Sequence, residues 1–422
     1  MAMRRWNKVT GLLHNQNFRN GSIFTFFMFL NRGLNFLLLI VLSWYILPDS
    51  YGKLNLFYTC VNVVTVLICL CTNGIIGINY FKVKKEILSQ YINVILSCTF
   101  AVSIVLFSAS LFFHSYIAKV AEIDYKLQFL CIYVCAAAIV YHILTDIYRL
   151  EEKTFAYGLI TTISTLLNIA ATLFLVIVLN QDWLGRIYAN LFATTIFLFV
   201  GVYLLIRKGF LRCLLPTKQQ YKESLAYGVP LIPHCMNGFL RQGVDRYIIN
   251  GFFTTTQVGL FSFSTNFSFL IYSIGSAFNQ SNSVYIFKCL SVDPEGSKKK
   301  LRKQTFMMIG FFAAITILLN IICLIIFPIV FPKYNDAIVF LFPLSMGAFF
   351  QCIYLQFCNY LFYYRKTKEL MYMTFSVSII HIALSLWLTQ YSAVLTAYVS
   401  MISSAIEAFL VFLYSRRLYK VI

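Results

Sequence analysis

Apolar segments of about 20 residues recur along nearly the whole chain, and short polar stretches separate them. A helix needs about 20 apolar residues to cross the hydrocarbon core of a bilayer, so each segment is long enough to span a membrane. The pattern predicts an all-α polytopic membrane protein with about 12 transmembrane helices. The predicted spans are residues 21–46, 55–80, 91–113, 127–145, 158–179, 186–206, 226–250, 259–286, 305–330, 338–362, 371–389 and 393–414.

The composition agrees with a membrane protein and excludes a soluble one. Of the 422 residues, 60% are hydrophobic and 12% are charged, and the mean hydropathy is +0.76. The longest loops, near residues 114–126, 207–225 and 288–304, are too short to hold an extramembrane domain. The net charge of +19 therefore does not indicate nucleic-acid binding, because no basic segment is large enough to fold alone.

The basic residues are distributed unevenly between alternate loops. With the N-terminus inside, 26 of the 34 lysines and arginines fall in inner segments and 5 in outer segments. This bias follows the positive-inside rule and predicts that both termini are cytoplasmic. The first 18 residues are basic and mixed rather than apolar. We therefore expect an uncleaved interfacial segment over residues 1–20 and a basic tail over residues 415–422.

The seventh predicted span, residues 226–250, is unusual because it contains Arg241, Asp245 and Arg246. A charge at the centre of a membrane helix costs about 2.5–3.5 kcal/mol on insertion scales, so it normally faces a cavity or a partner. At about 100° per residue, one face of this helix holds His234, Gly238, Arg241 and Asp245. The pattern favours a helix that lines a polar cavity. Two simpler interpretations are that Arg241 and Asp245 pair with each other, and that Arg246 extends to the interface.

Arg32 lies inside the first predicted span, about 16 Å along the helix from Gly21 and close to the membrane midplane. An arginine at that depth reaches the interface with difficulty, so Arg32 is the strongest single functional candidate. Asn35 lies on the same face of the helix.

Polar stripes also run along the second span, where Asn62 lies, and along the eighth, where Tyr272 and Asn279 lie. Such stripes either join helices to one another or form the wall of a wet cavity. The acidic residues inside predicted spans are Asp245 and Glu407, and both are candidates for coupling transport to an ion.

Neither the cysteines nor the histidines predict a catalytic or metal centre. Most of the 12 cysteines lie inside spans, and their spacing lacks the second ligand pair that a metal site needs. The three histidines inside spans are expected to be hydrogen-bonded packing residues, and they are His142, His234 and His381. We predict no catalytic residues, no disulfide framework and no cofactor.

A short internal similarity suggests that the chain is duplicated. Residues 29–35 (FLNRGLN) resemble residues 239–245 (FLRQGVD), and each segment lies in the first span of a six-span half. Six spans is an even number, so the halves would share one orientation. We predict an N-lobe over residues 21–206, an inter-lobe loop over residues 207–225 and a C-lobe over residues 226–414.

Several motifs resemble those of the Wzx-type polysaccharide flippases of the MOP (multidrug, oligosaccharidyl-lipid, polysaccharide) exporter superfamily, which includes the MATE transporters. They are Leu47-Pro48-Asp49-Ser50-Tyr51-Gly52, Gly228-Val229-Pro230-Leu231-Ile232-Pro233, Asp245-Arg246-Tyr247-Ile248-Ile249 and Gln257-Val258-Gly259-Leu260-Phe261-Ser262. The resemblance implies two six-helix lobes around a central lumen. It also implies that an undecaprenyl-diphosphate-linked oligosaccharide moves from the inner to the outer leaflet by alternating access.

The resemblance further implies a bacterial inner membrane, and a role in O-antigen, lipopolysaccharide or capsule biosynthesis. By position it makes Arg32 and Arg241 cations of the lumen, and Arg246 is a further candidate for a lumen cation. The polymerase and the chain-length regulator of the pathway are candidate partners besides the substrate and the bilayer. Transport would draw on the membrane potential, H⁺ or Na⁺, because no GxxxxGK[ST] phosphate-binding loop is present.

Two other functions stay open at this stage. One is an integral-membrane polysaccharide polymerase or glycosyltransferase, although the small loops offer no convincing acid–base pair. The other is a drug or cation exporter, which is disfavoured because the acidic residues within the predicted spans are limited to Asp245 and Glu407.

Overall fold

The computed structural model describes residues 16–420, and within that range it describes the backbone but not the side chains of residues 16–22, 120, 121, 234, 237, 242 and 281. Most of the predicted interfacial segment 1–20 therefore lies outside the described residues. Between residues 16 and 420 every regular element is helical. Eleven of these helices are long and apolar enough to cross a membrane. The prediction of an all-α polytopic membrane protein is confirmed.

The α-helices follow one another with short connections. In chain order they are α1 (Gln16–Tyr45), α2 (Pro48–Ile68), α3 (Ile75–Asn79), α4 (Lys85–Ala121), α5 (Tyr125–Leu150), α6 (Thr154–Leu173), α7 (Asp182–Arg207), α8 (Lys218–Gly228), α9 (Ile232–Gly238), α10 (Val244–Phe252), α11 (Thr255–Val292), α12 (Pro294–Val330), α13 (Ile338–Tyr363), α14 (Thr367–Leu388) and α15 (Ala393–Leu418). Side-chain caps mark several helix starts, as at Asp124, whose carboxylate accepts a hydrogen bond from the Tyr125 amide.

The chain forms two compact units. The first contains the residues up to Ile46 together with Phe57–Met236, and the second contains Leu47–Leu56 together with the residues from Asn237 onwards. In the first unit α5 is the most buried of the long helices, and in the second unit α11 is. Each unit therefore has its own apolar core, built around one central helix.

The predicted seventh span is divided into short pieces. Helix α8 passes through a 3₁₀ turn, Val229–Leu231, into α9, which passes through a π-turn, Phe239–Gly243, into α10. Proline lacks a backbone N–H, so Pro230 and Pro233 remove two donors from the helical ladder at the first break. The π-turn adds one residue and changes the face on which the following side chains lie. The predicted seventh span is therefore not among the 11 helices of residues 16–420 that are long enough to cross a membrane.

The segment predicted as the inter-lobe loop, residues 207–225, contains the start of α8 and is bound to α4. The side-chain amide of Asn93 on α4 donates to the backbone carbonyls of Arg212 and Leu214, at 2.8 Å each. Thr217 and Gln220 form a capping box at the start of α8. The segment is therefore an ordered part of the first unit.

Residues 47–56, at the start of α2, pack against the start of α11 within the second unit. A Cβ atom on Gly52 would collide with the carbonyl of Thr255, and a Cβ atom on Gly259 would collide with the carbonyl of Pro48. The two helices therefore approach so closely that only glycine fits at either position. A hydrogen bond from the Thr255 hydroxyl to Asp49 joins the same ends.

Candidate functional site

Arg241 lies in the π-turn and points into the second unit, where its guanidinium pairs with the carboxylate of Glu407 on α15. A second guanidinium nitrogen donates to the Ser404 hydroxyl at 3.2 Å. The Arg241 side chain is 14% exposed and that of Glu407 is 2% exposed. Arg241 therefore does not pair with Asp245, in contrast to the simpler interpretation. The π-turn changes the face of the helix on which the following side chains, including that of Asp245, lie.

Asp245 is buried one helical turn after Arg241, and three side chains donate to its carboxylate. One oxygen accepts from the Ser385 hydroxyl at 2.9 Å and lies 3.0 Å from Nε2 of His381. The other accepts from the Ser400 hydroxyl at 2.8 Å. The second ring nitrogen of His381 lies 3.2 Å from the Ser403 hydroxyl. A buried carboxylate with three donors is well satisfied, so this network holds Asp245 in place.

The polar residues of α14 and α15 reach the two charges because of their spacing. Ser400, Ser403, Ser404 and Glu407 follow the i, i+3, i+4, i+7 pattern, which puts them on one face of α15. His381 and Ser385 are four apart on α14. His381 is buried and hydrogen-bonded as predicted. Sequence reasoning missed the serines and the contact of His381 with Asp245, although this spacing inside apolar spans was a signal that could have found them.

A small cavity adjoins the network. Its polar lining comes from Arg241, Asp245, His381, Ser400 and Ser404 on one side, and from Thr265, Ser268, Tyr272 and Gln351 on the other. The volume is about 60 Å³, which is room for a few water molecules and not for a sugar. The candidate Tyr272 therefore lies at the same cavity as Arg241 and Asp245.

Acidic and basic groups meet at this cavity. Arg241 pairs with Glu407, whereas Asp245 lies beside His381 and also interacts electrostatically with Arg246. Ionisable groups inside a membrane span are expensive and often mark an ion or proton site. The two carboxylates and His381 are groups that can exchange a proton. Among residues 16–420, no group of three or more His, Cys, Asp or Glu side chains is placed to hold a metal ion.

Two other candidates of the second unit form hydrogen bonds with other side chains. Nε of Arg246 donates to the Ser262 hydroxyl on α11 at 2.9 Å. Asn279, further along α11, accepts from the side-chain amide of Asn359 at 2.7 Å. The side chain of His234 lies outside the described part of the structure.

The remaining candidates belong to the first unit. The side chain of Arg32 on α1 is exposed, and so are those of Asn35 and Asn62. The Asn35 amide donates to the carbonyl of Asn31 at 2.8 Å. Asn31 in turn donates to the Thr161 hydroxyl on α6 at 3.1 Å, so a polar contact fixes α1 beside the position of Arg32.

The model of the family described as polysaccharide biosynthesis protein matches residues 18–287, which is more than half of the chain. The chain belongs to the polysaccharide biosynthesis protein family. This family member is also 23% identical over 376 residues to a protein of the Lsg locus of Haemophilus influenzae, covering 82% of this chain and 85% of that relative.

The fold of this polysaccharide biosynthesis protein is similar to those of solved transporters. The lipid II flippase MurJ, in an inward closed conformation, matches with a TM-score of 0.74 and 15% identity, over 93% of this chain and 87% of that one. An inward-facing multidrug resistance MATE transporter of the MOP superfamily matches with a TM-score of 0.66 and 13% identity, over 92% and 94%. The family model and the similarity to these transporters confirm the predicted family and the predicted fold.

Proposed function

We propose that this protein is a flippase that moves a lipid-linked oligosaccharide with a diphosphate headgroup from the inner to the outer leaflet by alternating access. The observation that best supports the proposal is a polysaccharide biosynthesis sequence on a MurJ-like and MATE-like transporter fold. The finer form of the proposal makes the substrate an undecaprenyl-diphosphate-linked repeat unit of O-antigen, lipopolysaccharide or capsule. The protein would then lie in a bacterial inner membrane with both termini cytoplasmic, and its products would pass to a polymerase and a chain-length regulator.

Arg32 is the proposed ligand of the diphosphate. Its side chain is exposed on α1, near the middle of that helix. The planar guanidinium binds two phosphate oxygens at once through charge-assisted hydrogen bonds, which makes arginine the preferred residue for this group. Arg241 is engaged with Glu407, so it would bind phosphate only after leaving that carboxylate.

The network around Asp245 and Glu407 is the proposed coupling site. Its two buried carboxylates are groups that can bind H⁺ or Na⁺, and its cavity is too small for the sugar. The membrane potential can contribute as well. Moving one negative charge out of a negative interior is downhill by about 2.3 kcal/mol per 100 mV. A proteoliposome assay tests this part: if collapsing the potential leaves the flipping rate unchanged, the potential does not drive export.

The fate of lipid-linked repeat units in cells that lack this gene tests the function. We expect complete repeat units to accumulate on the inner leaflet, because every step before translocation still proceeds. Complete units that reach the outer leaflet unpolymerised would identify a polymerase and would refute the flippase. Shorter, incomplete units would identify a missing glycosyltransferase.

A further inference from the structure

Arg186, on α7, turns towards α6 and is held there by neutral side chains. Its guanidinium donates to the side-chain oxygen of Asn168 and, at 2.7 Å, to the hydroxyl of Thr172. The amide of Asn168 donates onward to Asn190, one turn further along α7, at 3.3 Å. These side chains belong to the first unit.

The contacts put the Arg186 guanidinium deep along α6. Helix α6 and the π-turn that continues it end at Val178. Thr172 lies about 9 Å and Asn168 about 15 Å before that end, at 1.5 Å per residue. An interfacial arginine normally extends outward to the headgroups, whereas this one extends inward. An ionisable side chain at such a depth is expensive and is therefore a candidate for a functional role.

The positive charge of Arg186 has no carboxylate partner within the described chain. The ion pairs formed by residues 16–420 do not include it. A guanidinium has five N–H donors, and the two contacts to Asn168 and Thr172 leave donors for another ligand. The unused donors of Arg186 are therefore able to bind an anionic ligand.

A polar stripe on α6 connects this position with the level of Arg32. Thr161, Thr165, Asn168 and Thr172 are spaced four, three and four residues apart, so they lie on one face of α6. At its inner end Thr161 accepts from Asn31, the neighbour of Arg32. At its other end Thr172 accepts from Arg186. Thr161 and Thr172 are about 16 Å apart along the helix.

We propose that Arg186, held by Asn168 and Thr172, is a second phosphate-binding position of the first unit. It receives the diphosphate of the lipid-linked substrate further along the membrane normal than Arg32 does. This inference rests on the proposed function. Two cations joined by a hydroxyl and amide stripe give the charged headgroup successive resting places, so neither has to bind it so tightly that release becomes slow.

The test measures binding of undecaprenyl diphosphate, without sugar, to the full-length protein in nanodiscs of neutral phosphatidylcholine. It uses the Arg32→Gln background, so that binding at the second position is seen alone. We expect the added Arg186→Gln change to weaken binding about tenfold to hundredfold, the range for losing charge-assisted hydrogen bonds. The matched control is Lys126→Gln, which removes an exposed cation of the same unit and should leave binding unchanged.

Arg186→Lys separates a binding role from a packing role. Lysine keeps the charge but binds phosphate as a point charge, so we expect a loss smaller than that of Arg186→Gln. Equal binding by the Arg32→Gln protein with and without Arg186→Gln would overturn the inference and leave Arg186 as a link between helices. Equal competition by phosphatidylglycerol would also overturn it, because the position would then hold any lipid phosphate. A wild-type protein that binds undecaprenyl diphosphate but does not translocate the lipid-linked oligosaccharide would refute the proposed function separately.

Discussion

In the second unit the buried Arg241 has a carboxylate partner, Glu407, whereas in the first unit Arg186 is held by the neutral side chains of Asn168 and Thr172. The network of the second unit also contains the buried carboxylate of Asp245. The arginine of the second unit therefore lies beside acidic side chains, whereas the arginine of the first unit lies beside neutral ones. Under our proposals an anionic headgroup binds in the first unit, and a proton or small cation binds in the second.

Breaking the buried ion pair should produce the largest change in stability. We expect Arg241→Ala to lower the free energy of unfolding by about 3–5 kcal/mol, because it leaves the Glu407 carboxylate buried and unpaired. The double variant Arg241→Met, Glu407→Leu should recover much of the loss, because both charges are gone. Thermal unfolding in detergent measures both variants. If the double variant were as unstable as the single one, the unpaired Glu407 carboxylate would not be the cause of the lost stability.

Replacing Arg32, an exposed cation of the first unit, should affect transport rather than stability. We expect Arg32→Ala to slow translocation of the lipid-linked oligosaccharide about tenfold to hundredfold, the range for a lost charge-assisted contact. Its unfolding free energy should change by about 0.5 kcal/mol or less, because the side chain is exposed. Arg32→Lys, which keeps the charge, is the control and should retain part of the activity. Full activity in Arg32→Ala would remove Arg32 from the mechanism.

A pair of glycine variants compares packing in the two units. Gly52→Ala in the second unit should cost about 1–3 kcal/mol of stability, because its Cβ atom would collide with the carbonyl of Thr255. Gly33→Ala in the first unit should be neutral or stabilising by up to about 1 kcal/mol, because nothing lies within 4 Å of the added atom. Melting curves of the two variants give the answer. Equal melting temperatures would show that the contact between α2 and α11 has room for a Cβ atom at residue 52.

The smallest effect is expected from an ion pair of the first unit that lies outside the spans. Partial burial raises the pKa of the Glu151 carboxyl, but hydrogen bonds from Lys208 and Lys153 outweigh it and hold the pKa below its ordinary value. A lowered folded-state pKa stabilises the protein at neutral pH, and this stabilisation is lost as the pH falls through that pKa.

Glu151→Gln should therefore cost at most about 1 kcal/mol at pH 7. It should also make the melting temperature less sensitive to acid than that of the wild type. Urea or thermal unfolding across pH 3–7 measures both effects. A variant that loses stability in acid as steeply as the wild type would assign that loss to other carboxylates.

Most of the helical architecture was predictable because one rule governs it. A membrane helix needs about 20 apolar residues, and that signal is local in the sequence. The seventh span was harder, because the π-turn at Arg241 depends on packing with distant helices. Pro230 and Pro233 remove backbone donors wherever they stand, but their effect on helix length could not be read from the sequence.

The candidate site was predictable only in part. Arg241, Asp245 and Glu407 were identified because a charge inside a span is conspicuous. The pairing of Arg241 with Glu407 joins residues 166 apart in sequence, and no local pattern specifies it. Arg186 was missed because it lies at the edge of its span, where the direction of its side chain decides whether it is interfacial.

The most direct test of the central claim is translocation by the purified protein in proteoliposomes. Undecaprenyl-diphosphate-linked oligosaccharide is placed in the inner leaflet, and its arrival outside is followed with an enzyme that cannot cross the membrane. We predict transfer that requires the protein and that is slowed by Arg32→Ala but not by Lys126→Gln. The account would be contradicted if the oligosaccharide stayed inaccessible to the external enzyme. The positive control is a known flippase, which must make the oligosaccharide accessible in the same vesicles.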